Sequence, residues 1–285
     1  MLSLLKIEWL KIKKYPAFWW MFGIVALTYP GINWMSQKGY ESAVSRKDVT
    51  GNVAKMLLGN PFAFPDAWHS VAYFSSYFVL VPAILIIMLI ANEYTFKTHR
   101  QNIIDGWSRN QFITAKMIDV FIISLVTTIS YTIVAAIFGF TFSDSINVTR
   151  WAEELQYIPL FFLQTFAQLT IAAMLGFLLR RAFLALGILF FYYLIIEPII
   201  KLYLRIKEIS IREFLPFEIS NRLIPFLNLK LVNSSYLQIL TQLILFELFL
   251  PLSKYLNALS EIFSHPSKLR CSNFSKLTLK THNID

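Results

Sequence analysis

Five apolar runs punctuate the chain at about 17–35, 70–92, 117–140, 157–179 and 182–200, and a weaker one follows at about 236–252. A bilayer core about 30 Å thick needs about 20 apolar residues at helical rise, so each of the five is predicted to cross as a helix. None carries a charge near its middle. The sixth is short, holds Gln238, Gln242 and Glu247, and ends at Pro251, so it spans only with help from neighbouring protein.

The polar intervals carry patterns of their own. Leu2, Leu5, Trp9 and Ile12 share a helical stripe with Lys6, Lys11, Lys13 and Lys14 off it, which predicts a helix lying along the membrane surface. A plain basic flank of the first span is the alternative. Phe18-Trp19-Trp20-Met21-Phe22 is bulky and no small-residue cleavage site follows, so the segment reads as retained rather than as a signal peptide.

Between the second and third runs, Glu93 to Lys116 mixes charges with Ile103, Ile104, Trp107, Phe112 and Ile113 at roughly helical spacing, the pattern of an amphipathic connector. In 201–235, Leu202, Ile206 and Ile209 recur at helical spacing, while Pro216 and Pro225 divide the segment into short pieces. From 253 to 285 the composition turns to Ser, Lys, Thr and Asn, as in a disordered tail. The expectation is an all-α integral membrane protein: one domain over 1–252, six spans, an N-terminal amphipathic surface helix, and short outer helices before the last span.

Composition agrees with this expectation. A hydrophobic share of 56% with 26 Phe exceeds the usual share of about 45–50% in soluble domains. The net charge of +9 does not point to nucleic acid, because the basic residues sit in connectors and no soluble aromatic-interleaved domain exists to form a groove. With the N-terminus inside, Lys6, Lys11, Lys13, Lys14, Lys97, Arg100, Arg109, Lys116, Arg180 and Arg181 fall on the cytoplasmic side of a bacterial plasma membrane. The basic loops at 36–67 and 201–235 run against that rule. Cys271 is the only cysteine, so no internal disulfide framework exists.

Several chemistries are missing. His69, His99, His265 and His282 stand far apart, and neither HExxH nor GxSxG occurs, so no catalytic residue and no bound metal or cofactor is assigned. His69 and His99 read as interfacial hydrogen-bonding residues. GxxxxGK[ST] is also absent, so any ATP chemistry has to come from a partner chain. Inside the spans, Gln164 and Gln168 lie one turn apart, with Ala172 and Gly176 extending their face. They read first as helix-packing residues and second as candidates for a substrate pathway. Ser124, Thr127, Thr128 and Ser130 of the third span read as packing residues in the same way. Glu197 is placed near the end of the fifth span, within reach of the interface, and Glu247 is a further pathway candidate because an embedded charge has to face protein or water.

At the connector the chain resembles permease subunits of type-two ATP-binding-cassette exporters. In these a span ends in Glu-Tyr, then come Thr-x-Arg and a Ser-Arg pair, and a later Lys opens the next span. The matching positions are Glu93-Tyr94, Thr98-His99-Arg100, Ser108-Arg109 and Lys116. Lys97 departs from the pattern, standing where a small residue, often Gly, precedes the Thr. The resemblance implies a coupling helix docked on an ATPase subunit, with Ile103, Ile104, Trp107 and Phe112 supplying contact area and Arg100 and Arg109 orienting it. It also implies a second permease copy or paralogue and export of a hydrophobic or amphipathic substrate. A non-transporting scaffold or sensor is the rival reading, and an intramembrane enzyme is disfavoured by the missing motifs.

Overall fold

Proline and polar punctuation set the helix boundaries. A computed structural model of the chain describes residues 2–45, 59–98, 104, 109–144, 148–207, 216–221 and 223–224. Pro16, whose fixed φ suits a first helical turn, opens α2 (Pro16–Val44) directly after α1 (Leu2–Lys14). The second apolar run forms α3 (Ala67–Ser76), a 3-10 turn at Tyr77–Val79 and α4 (Leu80–Thr95). Pro82 lacks the N–H that would bond the carbonyl of Phe78, which accounts for the tightened turn just before it. Next come α5 (Arg109–Phe142), α6 (Tyr157–Leu179), α7 (Ala182–Phe191), a π turn at Tyr192–Ile196, α8 (Glu197–Ile206) and α9 (Pro216–Asn221). The π turn precedes Pro198, whose missing N–H leaves the carbonyl of Leu194 without its usual donor.

No strand occurs among the described residues. Among the described residues, four helices are long and apolar enough to cross a membrane: Ala67–Thr95, Gln111–Phe142, Tyr157–Leu179 and Ala182–Leu204. They give the chain the character of a membrane-embedded protein and match four of the expected spans. The first expected span, 17–35, also forms a helix, but α2 is 29 residues long and diluted by Trp19, Trp20, Tyr29, Pro30 and Asn33. It is not among the four. The expected sixth span at 236–252, the tail at 253–285 and Glu247 lie outside the described residues.

The bundle is centred on α6, which packs along α4 and α5. Gly176 makes the first of these approaches close, because a Cβ there would meet Ile90 Cβ and Cγ2 at 3.3 Å. At one end, Asn60 Nδ2 donates to Phe142 O at 3.2 Å, the Phe64 N–H donates to Ser143 Oγ at 2.7 Å, and Trp68 Nε1 donates to Trp151 O at 2.8 Å. Deeper in, the Tyr131 hydroxyl donates to Trp68 O at 2.7 Å, and its ring stacks on Phe161 with centroids 4.4 Å apart. Ser124, Thr127, Thr128 and Ser130 donate to carbonyls four residues back in α5, at 2.8–3.0 Å, so their hydroxyls are satisfied within their own helix. Glu197 differs from expectation: α8 continues beyond it to Ile206, and its side chain is buried rather than at the interface.

Enlarging Gly176 separates α4 from α6, whereas Gly187 faces open space. Gly176→Leu is expected to lower stability by about 1–3 kcal/mol, the usual cost of overpacking, with Gly187→Leu close to neutral. Thermal unfolding of the two variants in detergent checks this.

Candidate functional site

The end of the bundle opposite Trp68–Trp151 is held by charge. Glu8 is the only acidic residue of α1, and it is buried on the same face as Ile12, one turn on. This face packs against α5, where Lys116 and Asp119 lie one turn apart and are also buried. Lys116 Nζ donates to Glu8 Oε2 at 2.8 Å, to Glu93 Oε1 at 2.7 Å and to Asp119 Oδ2 at 2.9 Å. Lys11 Nζ adds a 2.8 Å bond to Glu8 Oε1 and lies 3.8 Å from Glu93 Oε1. One ammonium thus joins α1, the end of α4 and the start of α5.

Neighbouring contacts reinforce the junction. Asn92 Nδ2 donates to the Tyr15 hydroxyl at 2.8 Å, tying the α1–α2 elbow to α4. The ring of Tyr94 meets Phe112 edge-on at 6.5 Å, Phe112 meets Phe177 at 6.3 Å, and the Arg180 guanidinium lies 5.4 Å over Tyr94. Arg180 itself caps α6 in the left-handed region, at φ 53°. Burial opposes ionisation of Glu8, but the charges and hydrogen bonds of Lys116 and Lys11 prevail and hold its carboxyl below the usual range. A carboxyl lowered by folding contributes fully above the ordinary glutamate value of about 4.3 and loses that contribution as pH falls through its folded value.

The expected coupling residues divide into two groups. Glu93, Tyr94, Phe112 and Lys116 turn toward the protein and build the junction, with Phe112 buried rather than presented as surface. Thr98 is exposed, its hydroxyl 3.4 Å from Glu93 O, and Ile104 is 83% exposed. Phe96, which sequence reading did not single out, is 72% exposed beside them. Arg109 begins α5, and its side chain is outside the described set. Arg100, Ile103, Trp107 and Ser108 lie outside the described residues.

Gln164 and Gln168 are both buried, and their Nε2 atoms donate to Asn221 Oδ1 at 3.1 and 3.2 Å, joining α6 to α9. The same interior holds a polar stripe absent from the sequence reading: Tyr29, Asn33 and Gln37 recur every four residues on the buried face of α2. Asn33 Nδ2 donates to Tyr29 O at 2.8 Å and to Ser75 Oγ at 3.2 Å. His69, near the start of α3, is buried, its ring 4.7 Å from that of Tyr157. No group of three metal-ligating side chains occurs among the described residues.

Glu8 and Asp119 also escaped the sequence reading. Both left a signal: a lone acid in a basic helix, and an acid three residues after the lysine that opens a span. Replacing Lys116 by Met leaves buried Glu8 and Asp119 and half-buried Glu93 without their shared cation, which is expected to cost about 3–5 kcal/mol. Lys11 is partly exposed, and Lys11→Gln is expected to cost at most about 1 kcal/mol. Comparing the thermal midpoints of the two variants in detergent checks the difference.

The chain matches no curated protein and no solved structure. A family model described as "Protein of unknown function (DUF2705)" matches residues 9–255, which include all of the junction except Glu8. By that match over most of its length, the chain belongs to the DUF2705 family.

Proposed function

We propose that this chain is the membrane-spanning permease subunit of an ATP-binding-cassette transporter in a bacterial plasma membrane. It pairs with a second permease, identical or related, and exports a hydrophobic or amphipathic substrate, while a separate ATPase subunit binds and hydrolyses ATP. The connector between α4 and α5 is the point of coupling. The observation that carries this reading is the 2.7 Å bond between Glu93 and Lys116, the two charged residues that bracket the exporter-like motif.

That bond closes the connector at its base, so a load on its tip reaches α4, α5 and, through Glu8, α1 together. Exposed Phe96 and Ile104 give the connector apolar surface for a partner. Lys97 adds independent support. It departs from the motif at a position that usually holds a small residue, and its backbone lies at φ 59°, the left-handed region that favours glycine. The local conformation therefore suits the motif even where the residue does not. In the mechanism, closure of the partner ATPases moves the connector, and the attached helices carry the shift to the opposite face. Gln164 and Gln168, held by Asn221, are candidate pathway residues that such a shift would release, and Glu247 is a third candidate.

Co-purification from the native operon tests the coupling. A subunit carrying GxxxxGK[ST] is expected to be recovered with the wild-type chain, and at least tenfold less with Arg100→Glu plus Arg109→Glu, or with Ile104→Asp. Undiminished recovery, or an intact chain that brings no such subunit, contradicts the proposal and favours a scaffold.

A further inference from the structure

The α1–α2 elbow forms a second feature that the coupling proposal does not use. A surface cavity of about 460 Å3 lies there, lined by Lys13, Lys14, Pro16, Trp19 and Trp20. Its walls are fixed by the backbone: the Tyr15 N–H donates to Ile12 O and the Phe18 N–H to Tyr15 O, both at 3.0 Å, while Trp19 Nε1 donates to Lys13 O at 2.9 Å. Phe18 stands edge-on to both Trp9 and Trp19, with centroids 6.5 and 5.5 Å apart, and buries itself beneath the elbow.

The cations at this end have different employment. Lys11 and Lys116 are committed to the carboxylates of the junction. Lys13 and Lys14 point away from it, exposed, and neither takes part in an ion pair among the described residues. Trp20 is 75% exposed and Trp19 55%, so two indoles stand beside two uncompensated ammoniums at the point where the apolar helix α2 begins. Indole rings settle at headgroup depth, with the ring toward the glycerol and acyl region, and lysines beside them attract phosphate. The cavity is of the size that holds a small ligand or a headgroup, and too small for a whole lipid.

We infer that the α1–α2 elbow is a binding site for an anionic phospholipid, with Lys13 and Lys14 taking the headgroup phosphate and Trp19 and Trp20 flanking the glycerol and first acyl carbons. The inference rests on the span expected at 17–35 entering the membrane at Pro16 and not on any ATPase partner. Because α1 carries Glu8 on its other face, a lipid held here also seats the helix against Lys116.

Native mass spectrometry of the full chain in nonionic detergent, titrated with dioleoyl phosphatidylglycerol, tests the site. Lys13→Gln and Lys14→Gln are each expected to weaken binding about fivefold and the pair about twenty-fivefold, with binding of dioleoyl phosphatidylcholine unchanged. Lys38→Gln, at the far end of α2 and paired with Glu41, is expected to change nothing. Trp20→Ala is expected to weaken the lipid without affecting the fold, since that ring is mostly exposed. Undiminished phosphatidylglycerol binding by the double variant overturns the proposal. Displacement of the lipid by millimolar inorganic phosphate also overturns it, assigning the lysines to a phosphate-ion site. Loss of the phosphatidylglycerol effect in an otherwise functional ATPase complex leaves the coupling reading standing, so the two proposals fail separately.

Discussion

A buried lysine among three carboxylates is the constraint on which this end of the molecule depends. Lys116 cannot stay charged in the protein interior without partners, and its partners come from three separate elements: Glu8 of α1, Glu93 of α4 and Asp119 of its own helix. Removing water from such a group costs several kcal/mol, and the cost is offset only when the surrounding oxygens are close and well placed. The 2.7–2.9 Å geometry meets that condition. An arrangement of this kind ties register to charge, because α1 shifted by one residue would withdraw Glu8 and leave Lys116 with only Glu93 and Asp119.

The rest of the bundle is built from softer contacts. Gly176 admits Ile90, Tyr131 lies over Phe161, and the hydroxyls of α5 turn back on their own helix. These contacts pack the interior without fixing the connector. The junction instead ties the two ends of the connector to each other, Glu93 to Lys116 at 2.7 Å. A loop anchored in this way can transmit a displacement, where a loosely tethered one would absorb it. The elbow carrying Lys13 and Lys14 lies beside this junction, with the Tyr15 hydroxyl bonded to Asn92 Nδ2 at 2.8 Å.

Much of this fold can be read in the residues. The run at 157–179 coincides with α6, and those at 70–92 and 182–200 fall inside the observed helices, because sustained apolarity over membrane length leaves few other outcomes. The run at 117–140 lies inside a longer helix, since α5 starts at Arg109, ahead of the apolar residues. Lys116 is therefore already one of the residues inside the helix, one turn before Asp119 of the expected span. In α1, Ile12 is buried against the protein and Trp9 is 40% exposed, while Glu8 takes the inward position beside Ile12, where Lys116 meets its carboxylate. That partnership joins residues 108 apart in the chain and has no local signature. Glu197 is also buried, with α8 continuing past it to Ile206.

Backbone hydrogen exchange in Lys116→Met bears most directly on the claim that one side chain fastens three elements. The account predicts faster exchange together in 2–14, in 90–95 and in 111–119, with the packed middle of α6 unchanged. Acceleration confined to 111–119, with α1 as protected as in the wild type, would contradict it.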